Sequence, residues 1–175
     1  MFRRAENAAL IGGSSNAEQI LAKLRAQAAR LSDLSVPLTQ AGIVVRDAAV
    51  MRIKEQGGDQ DWLPNKRGGH TGIDSGRMMS SIQVSPVAQN AVSVGTNLQY
   101  AKWFQEGTGI YAGHTPWTIN PKSKKALAFT SGGVEYVRRS VTIPGQPKRP
   151  FLLVADQQKS DIRDVFVRWI NGAAA

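Results

Sequence analysis

Four consecutive residues, Thr130-Ser131-Gly132-Gly133, most constrain what this chain can fold into. Strand-forming runs flank them at residues 126–129 and 134–143, and glycine supplies the positive φ that a tight hairpin turn requires. A hairpin commits the chain to antiparallel β structure. Toward both ends, apolar residues instead recur at three- and four-residue steps, which is the helical period. Helical flanks around a hairpin-rich middle predict an α+β fold. It has two N-terminal helices, a small antiparallel sheet of hairpins with a short intervening helix, and a C-terminal helix.

The first helix is expected from Ala17, with Ser15 or Asn16 as its cap and Glu18 in its opening turn. Leu21, Leu24, Ala28 and Leu31 make its apolar stripe. Residues 1–16, Ala-rich and carrying Gly12-Gly13, read as a flexible segment ahead of a single domain over residues 17–172. A second helix is expected over residues 37–56. Its broad apolar set runs from Leu38 through Val44, Val45, Ala48 and Met51 to Ile53, so it is the more buried of the two. Gly57-Gly58 stops it, and residues 57–73 form a loop with Trp62-Leu63-Pro64 in the middle, pinned by one apolar anchor. Asp74-Ser75-Gly76 caps a short turn carrying Met78 and Met79. Strands follow over residues 82–87 and 91–96, then a short helix over 100–106 ended by Gly107, then a loop with Gly109, Gly113 and Pro116. The hairpin at about residues 126–143 projects. Pro144, Pro147 and Pro150 stiffen the chain after it. Residues 156–170 close the domain as a helix, with Ile162, Val165, Phe166 and Trp169 on one side.

With 175 residues the chain can bury one real core. No apolar run approaches the roughly 20 residues of a membrane span, and no apolar signal core follows the charged start. There are no cysteines, so disulfides and thiolate metal sites are excluded. The net charge of +9 is concentrated: residues 121–150 hold seven cations and one acid, Glu135. The cations are Lys122, Lys124, Lys125, Arg138, Arg139, Lys148 and Arg149. Such a stripe suits DNA or an acidic partner surface. It equally suits a solvated face, or a strand edge guarded against aggregation. No recognition-helix pattern is present, so any DNA contact is expected to be to phosphate and sequence-blind.

Catalytic signatures are lacking. The two histidines, His70 and His114, sit in Gly-rich loops without metal-ligand spacing. No serine lies in a Gly-x-Ser-x-Gly elbow, and Gly68-Gly69-His70-Thr71-Gly72 lacks the ending of a phosphate loop. Asp59 and Asp61 read as loop solubilisers. No enzyme activity, catalytic residue, metal or cofactor is expected. On the short helix Tyr100, Trp103 and Phe104 cannot all share one face. Either both sides are buried in a cleft, or one ring anchors a subunit interface, where aromatics are enriched. Trp117, Thr130 and Tyr136 are further interface candidates.

The order of several short blocks resembles the tailed-bacteriophage virion morphogenesis, or tail-completion, family of neck proteins. The family's Asp-Thr-Gly-x-Leu-x-x-Ser-Ile block is matched by Asp74-Ser75-Gly76-Arg77-Met78-Met79-Ser80-Ser81-Ile82. Val94-Gly95-Thr96-Asn97 follows, then Tyr100, Ala101 and Gly107 of a Tyr-Ala block. Pro121, Lys122, Ala126, Leu127 and Phe129 match a strand block, and Pro147, Arg149, Pro150, Phe151 and Leu152 match the last. Ser75 replaces the usual Thr, and Lys102-Trp103-Phe104-Gln105 is bulkier than common forms. The resemblance covers about residues 36–168. It implies a structural protein made in the host cytoplasm and placed at the head–tail junction of the virion. There it would form a homo-oligomeric ring of six copies, or twelve, around the DNA channel. Connector, tail terminator or tail tube proteins would be its neighbours, with nonspecific contact to genomic DNA and none to a membrane. The alternatives are a sequence-nonspecific DNA-binding protein of replication or packaging, and a hydrolase acting through His70 or His114.

Overall fold

The computed structural model describes residues 3–58, 62, 75–88, 90–131 and 133–172, with side chains from Asn16 onward. His70, Asp59, Asp61, Asp74 and the Gly68–Gly72 block lie outside the described residues. In chain order the elements are α1 (Arg3–Leu31), α2 (Ser35–Lys54), α3 (Arg77–Ser80), β1 (Gln83–Val84), β2 (Val94–Gly95) and α4 (Gln99–Glu106). A 3-10 turn at Gly109–Ala112 follows, then β3 (Trp117–Ile119), β4 (Leu127–Ser131), β5 (Val134–Arg138), β6 (Val141–Ile143) and α5 (Asp156–Asn171). The fold is α+β, as the alternation of periods predicts.

Several boundaries differ from expectation. β1 and β2 are two residues each, where the alternation predicts strands over residues 82–87 and 91–96. α1 begins at Arg3 rather than Ala17, so Gly12-Gly13 lies within a helix. Each glycine costs about 1 kcal/mol of helix propensity, which weakens a helix without forbidding it. The return strand expected over residues 134–143 is two strands. β5 pairs with β4, while β6 pairs with β3, a strand read in the sequence as loop. β3 is three residues long, too short to show an alternation. Among the described residues the strands form three two-stranded antiparallel ladders rather than one sheet.

α5 packs along α2, which carries the buried residues Ala49 and Ile53 into the core. Met78 from α3, Ile82, Ala101 and Phe104 from α4, and Phe151 complete that core. Ala101 and Phe104 are three residues apart and so share the inner face of α4. The Phe104 ring meets Trp62 edge-on at 5.2 Å and Phe151 at 6.0 Å between centroids. Trp62, from the expected anchor Trp62-Leu63-Pro64, packs against this core; residues 59–61 and 63–73 of that loop lie outside the described residues. At Gly42 the β1–β2 hairpin comes so close that an added Cβ would lie 3.0 Å from Val92 Cγ2 and nearer still to Val84.

Two polar side chains fasten the extended passage after residue 150. Gln105 Oε1 accepts the N–H groups of Phe151 and Leu152 at 2.9 and 3.0 Å, and its Nε2 donates to the Leu152 carbonyl at 3.2 Å. Arg52, buried on α2, donates to the carbonyl of Leu153 at 2.8 Å and to Gln158 Oε1 at 2.9 Å. Gln158 Oε1 also accepts the Ala155 N–H at 3.1 Å, closing the first turn of α5.

Candidate interaction surface

The two ladders β3–β6 and β4–β5 follow one another along the same pair of chain segments. Ile119 pairs with Val141 at the end of one, and Leu127 pairs with Arg138 at the start of the other. Between them residues 120–126 lie opposite Arg139 and Ser140, an unequal interruption of a two-stranded ribbon. The outer ladder reverses immediately after the Ser131↔Val134 pair, with Gly133 at φ 79°.

Strand alternation sorts the outer ladder into two faces. One carries Leu127, Arg138, Phe129, Tyr136 and Val134. Phe129 and Tyr136 are directly paired and stack, with centroids 5.6 Å apart and planes at 20°. The Arg138 guanidinium lies 5.5 Å from the Tyr136 ring centre, a cation–π distance. The other face carries Ala128, Val137, Thr130 and Glu135; Val137 is 63% exposed. In the inner ladder Trp117 pairs with Ile143 and is 73% exposed. The hydroxyls of Thr118 and Thr142 meet at 3.2 Å on the opposite side. Both ladders therefore show apolar side chains that the core does not cover.

The root of the ribbon is fixed to the end of α4 by backbone. Thr108 N donates to the Gln146 carbonyl at 2.9 Å, Ile110 N to the Pro144 carbonyl at 2.8 Å, and Gln146 N to Thr108 Oγ1 at 2.8 Å. Gly109 and Gly145 have φ of 59° and 112°, and a Cβ on either would collide with the facing backbone. Glycine is required there for both reasons.

The cations named from sequence divide. Lys122, Lys124 and Lys125 are exposed within the interruption, and Arg139 is exposed in the short segment opposite, between β5 and β6. Arg138 and Lys148 are also exposed. Arg149 is not: it is 6% exposed, with its guanidinium 5.9 Å from the Phe104 ring centre. Burial pushes its pKa below the usual arginine value. Its expected contact with DNA or an acidic partner gives way to a structural position. Of the interface candidates, Tyr100, Trp103, Trp117 and Thr130 are exposed and Tyr136 is half-buried in its stack. Phe104 lies in the core, because it shares the inner face with Ala101. His114 is exposed, and its backbone N–H donates to the Gly109 carbonyl at 2.9 Å.

A groove of about 340 Å³ between α2, β2 and α5 escaped the sequence reading. It is lined by apolar residues including Ala41, Val45, Val92, Val94 and Ile162. Each lies in a helix or strand with an apolar period, so nothing in the sequence distinguishes a groove wall from a buried face. Among the described residues no group of three or more His, Cys, Asp or Glu could hold a metal ion. No described helix is long and apolar enough to cross a membrane. No family model matches the chain, and neither does any curated protein or solved structure.

Proposed function

We propose that the protein is a non-enzymatic structural component of a tailed-phage virion, completing the tail or neck and joining head to tail. The carrying observation is the ribbon of residues 117–143, rooted by backbone on α4 and exposing Trp117, Phe129, Val134 and Val137. Apolar side chains held out on a fixed arm suit a protein partner. The ordered motif blocks of the tail-completion family supply the setting. An arm on one side of a subunit that meets a different patch on the next makes a heterologous contact, and such contacts form a ring where the rotation between subunits closes. Six copies are favoured and twelve are the alternative. Connector, tail terminator or tail tube proteins would neighbour the ring, and the exposed cations would meet passing DNA or acidic neighbours. Deleting residues 128–137 tests the reading. A folded, soluble protein that leaves heads and tails unjoined in micrographs supports it. Normal particles, or an unfolded chain, count against it.

The second reading is sequence-nonspecific DNA binding, favoured by the exposed Lys122, Lys124, Lys125 and Arg139 flanking the interruption of the ribbon. A gel shift of duplex by the isolated protein at physiological salt would favour this reading over the first.

A further inference from the structure

α1 carries a second surface that the described residues leave exposed. Its last turn is tied down: Arg30 Nη1 donates to the Ile170 carbonyl at 3.1 Å, and Trp169 Nε1 donates to the Arg30 carbonyl at 3.3 Å. Upstream of that anchor Leu21 and Leu24 are 49% and 55% exposed, and Ile20 is exposed beside them. The spacing of this surface is informative. Ala17, Leu21, Leu24, Ala28 and Leu31 step by four, three, four and three. A mean step of about 3.5 is that of a coiled-coil seam, whose apolar row stays facing a partner helix instead of drifting around the axis. In heptad terms Ala17, Leu24 and Leu31 are d positions, and Leu21 and Ala28 are a. Glu18 and Arg25 are e positions, and Ile20 and Gln27 are g.

We infer that α1 pairs across this seam with α1 of a second copy, antiparallel. Charge decides the direction. Parallel pairing would set g against e and place Ile20 beside the partner's Arg25, with no ion pair. Antiparallel pairing sets e against e, so Glu18 meets the partner's Arg25, and twofold symmetry repeats the contact. The same register stacks Leu21 on the partner's Leu24 and Ala17 on the partner's Ala28, with Gln27 beside the partner's Ile20. The charged flank, the leucine layers and the alanine layers thus agree on one alignment. Two heptads bury less than the roughly 1,200 Å² of a stable interface, so this dimer forms and parts with concentration. The seam does not depend on the neck reading, since it would serve any role of the chain.

The absence of cysteine makes the test clean, because introduced thiols are the only ones. Leu21→Cys, Leu24→Cys and the off-seam control Lys23→Cys are made separately in the full chain. A disulfide needs Cβ atoms about 4 Å apart, so mixing Leu21→Cys with Leu24→Cys should cross-link at least about tenfold faster than either alone. Faster linkage of either variant with itself would mean parallel pairing and overturn the inference. Linkage no faster than Lys23→Cys would overturn the seam altogether. Ala17→Cys mixed with Ala28→Cys repeats the test without removing a leucine, with helix content checked by circular dichroism. Glu18→Arg should slow the cross-link, and adding Arg25→Glu in the same chain should restore it. Failure to restore it overturns the antiparallel register.

Discussion

The side-chain oxygen of Gln105 accepts the backbone N–H of Phe151 at 2.9 Å, so one residue of a short helix does the work of a missing strand. Replacing it by Leu leaves the N–H groups of Phe151 and Leu152 without this acceptor, and each buried unsatisfied donor costs about 1–3 kcal/mol. Gln105→Leu should lower the denaturant midpoint with an unchanged slope. An unaltered midpoint would mean that water replaces the side chain.

Phe151 itself is fully buried against Phe104. Phe151→Ala should cost about 3–5 kcal/mol, the range for a core aromatic truncation. A loss below about 1 kcal/mol in a urea titration would contradict its core position.

Arg52 is a buried cation whose bonds run to the 151–153 backbone and to Gln158. Arg52→Met keeps the length and removes the donors. It should destabilise the fold by about 2–4 kcal/mol, because the acceptors stay buried. Equal thermal stability of the two proteins would show those carbonyls find other donors.

Gly109→Ala should destabilise the root of the ribbon, since its φ is positive and the Pro144 carbonyl occupies the space. The measurable result is faster amide exchange at Thr108, Ile110 and Gln146, with the core amides less affected. Uniform protection in wild type and variant would refute the fixed root.

Asp33 gives a pH prediction. Hydrogen bonds from Ser35, its side chain first and then its N–H, hold the Asp33 carboxyl below its usual value. A lowered folded pKa stabilises the fold above the unfolded value of about 3.9, and that stability is lost as pH falls through the folded value. NMR titration of the Asp33 carboxyl should therefore give a midpoint below that of an unfolded peptide, and Asp33→Asn should flatten the acid-side stability curve there.

Much of the architecture was legible because the period announces it. Leu38 to Ile53 reads as a helix and is α2, although of the apolar set expected to be buried only Ile53 is and Met51 is exposed; Ile162, Val165 and Trp169 read as the closing helix α5. The outer hairpin followed from its glycines. What escaped has local causes. Trp117-Thr118-Ile119 is too short to alternate, so β3 was invisible and β6 read as a continuation of β5. Arg149 sits beside Lys148 in a basic run, and sequence alone cannot tell that the chain turns one inward and the other out. Arg52 looks like a helix surface cation, and only the docking of residues 151–153 makes it interior. Phe104 and Trp103 are chemically alike neighbours, and the inner one is chosen by the small Ala101 that shares its face.

The backbone bonds between residues 108–110 and 144–146 also have a mechanical meaning. Hydrogen bonds and packed chain, rather than a free linker, join the ribbon to α4. The next residues inward are Phe104 and Gln105, which grip Phe151, and Arg52 ties the following carbonyls to α2 and α5. Tension that reaches the inner ladder is thus delivered to three helices in succession, α4, α2 and α5. Below the interruption at residues 120–126 the ribbon is a lever rather than a tether.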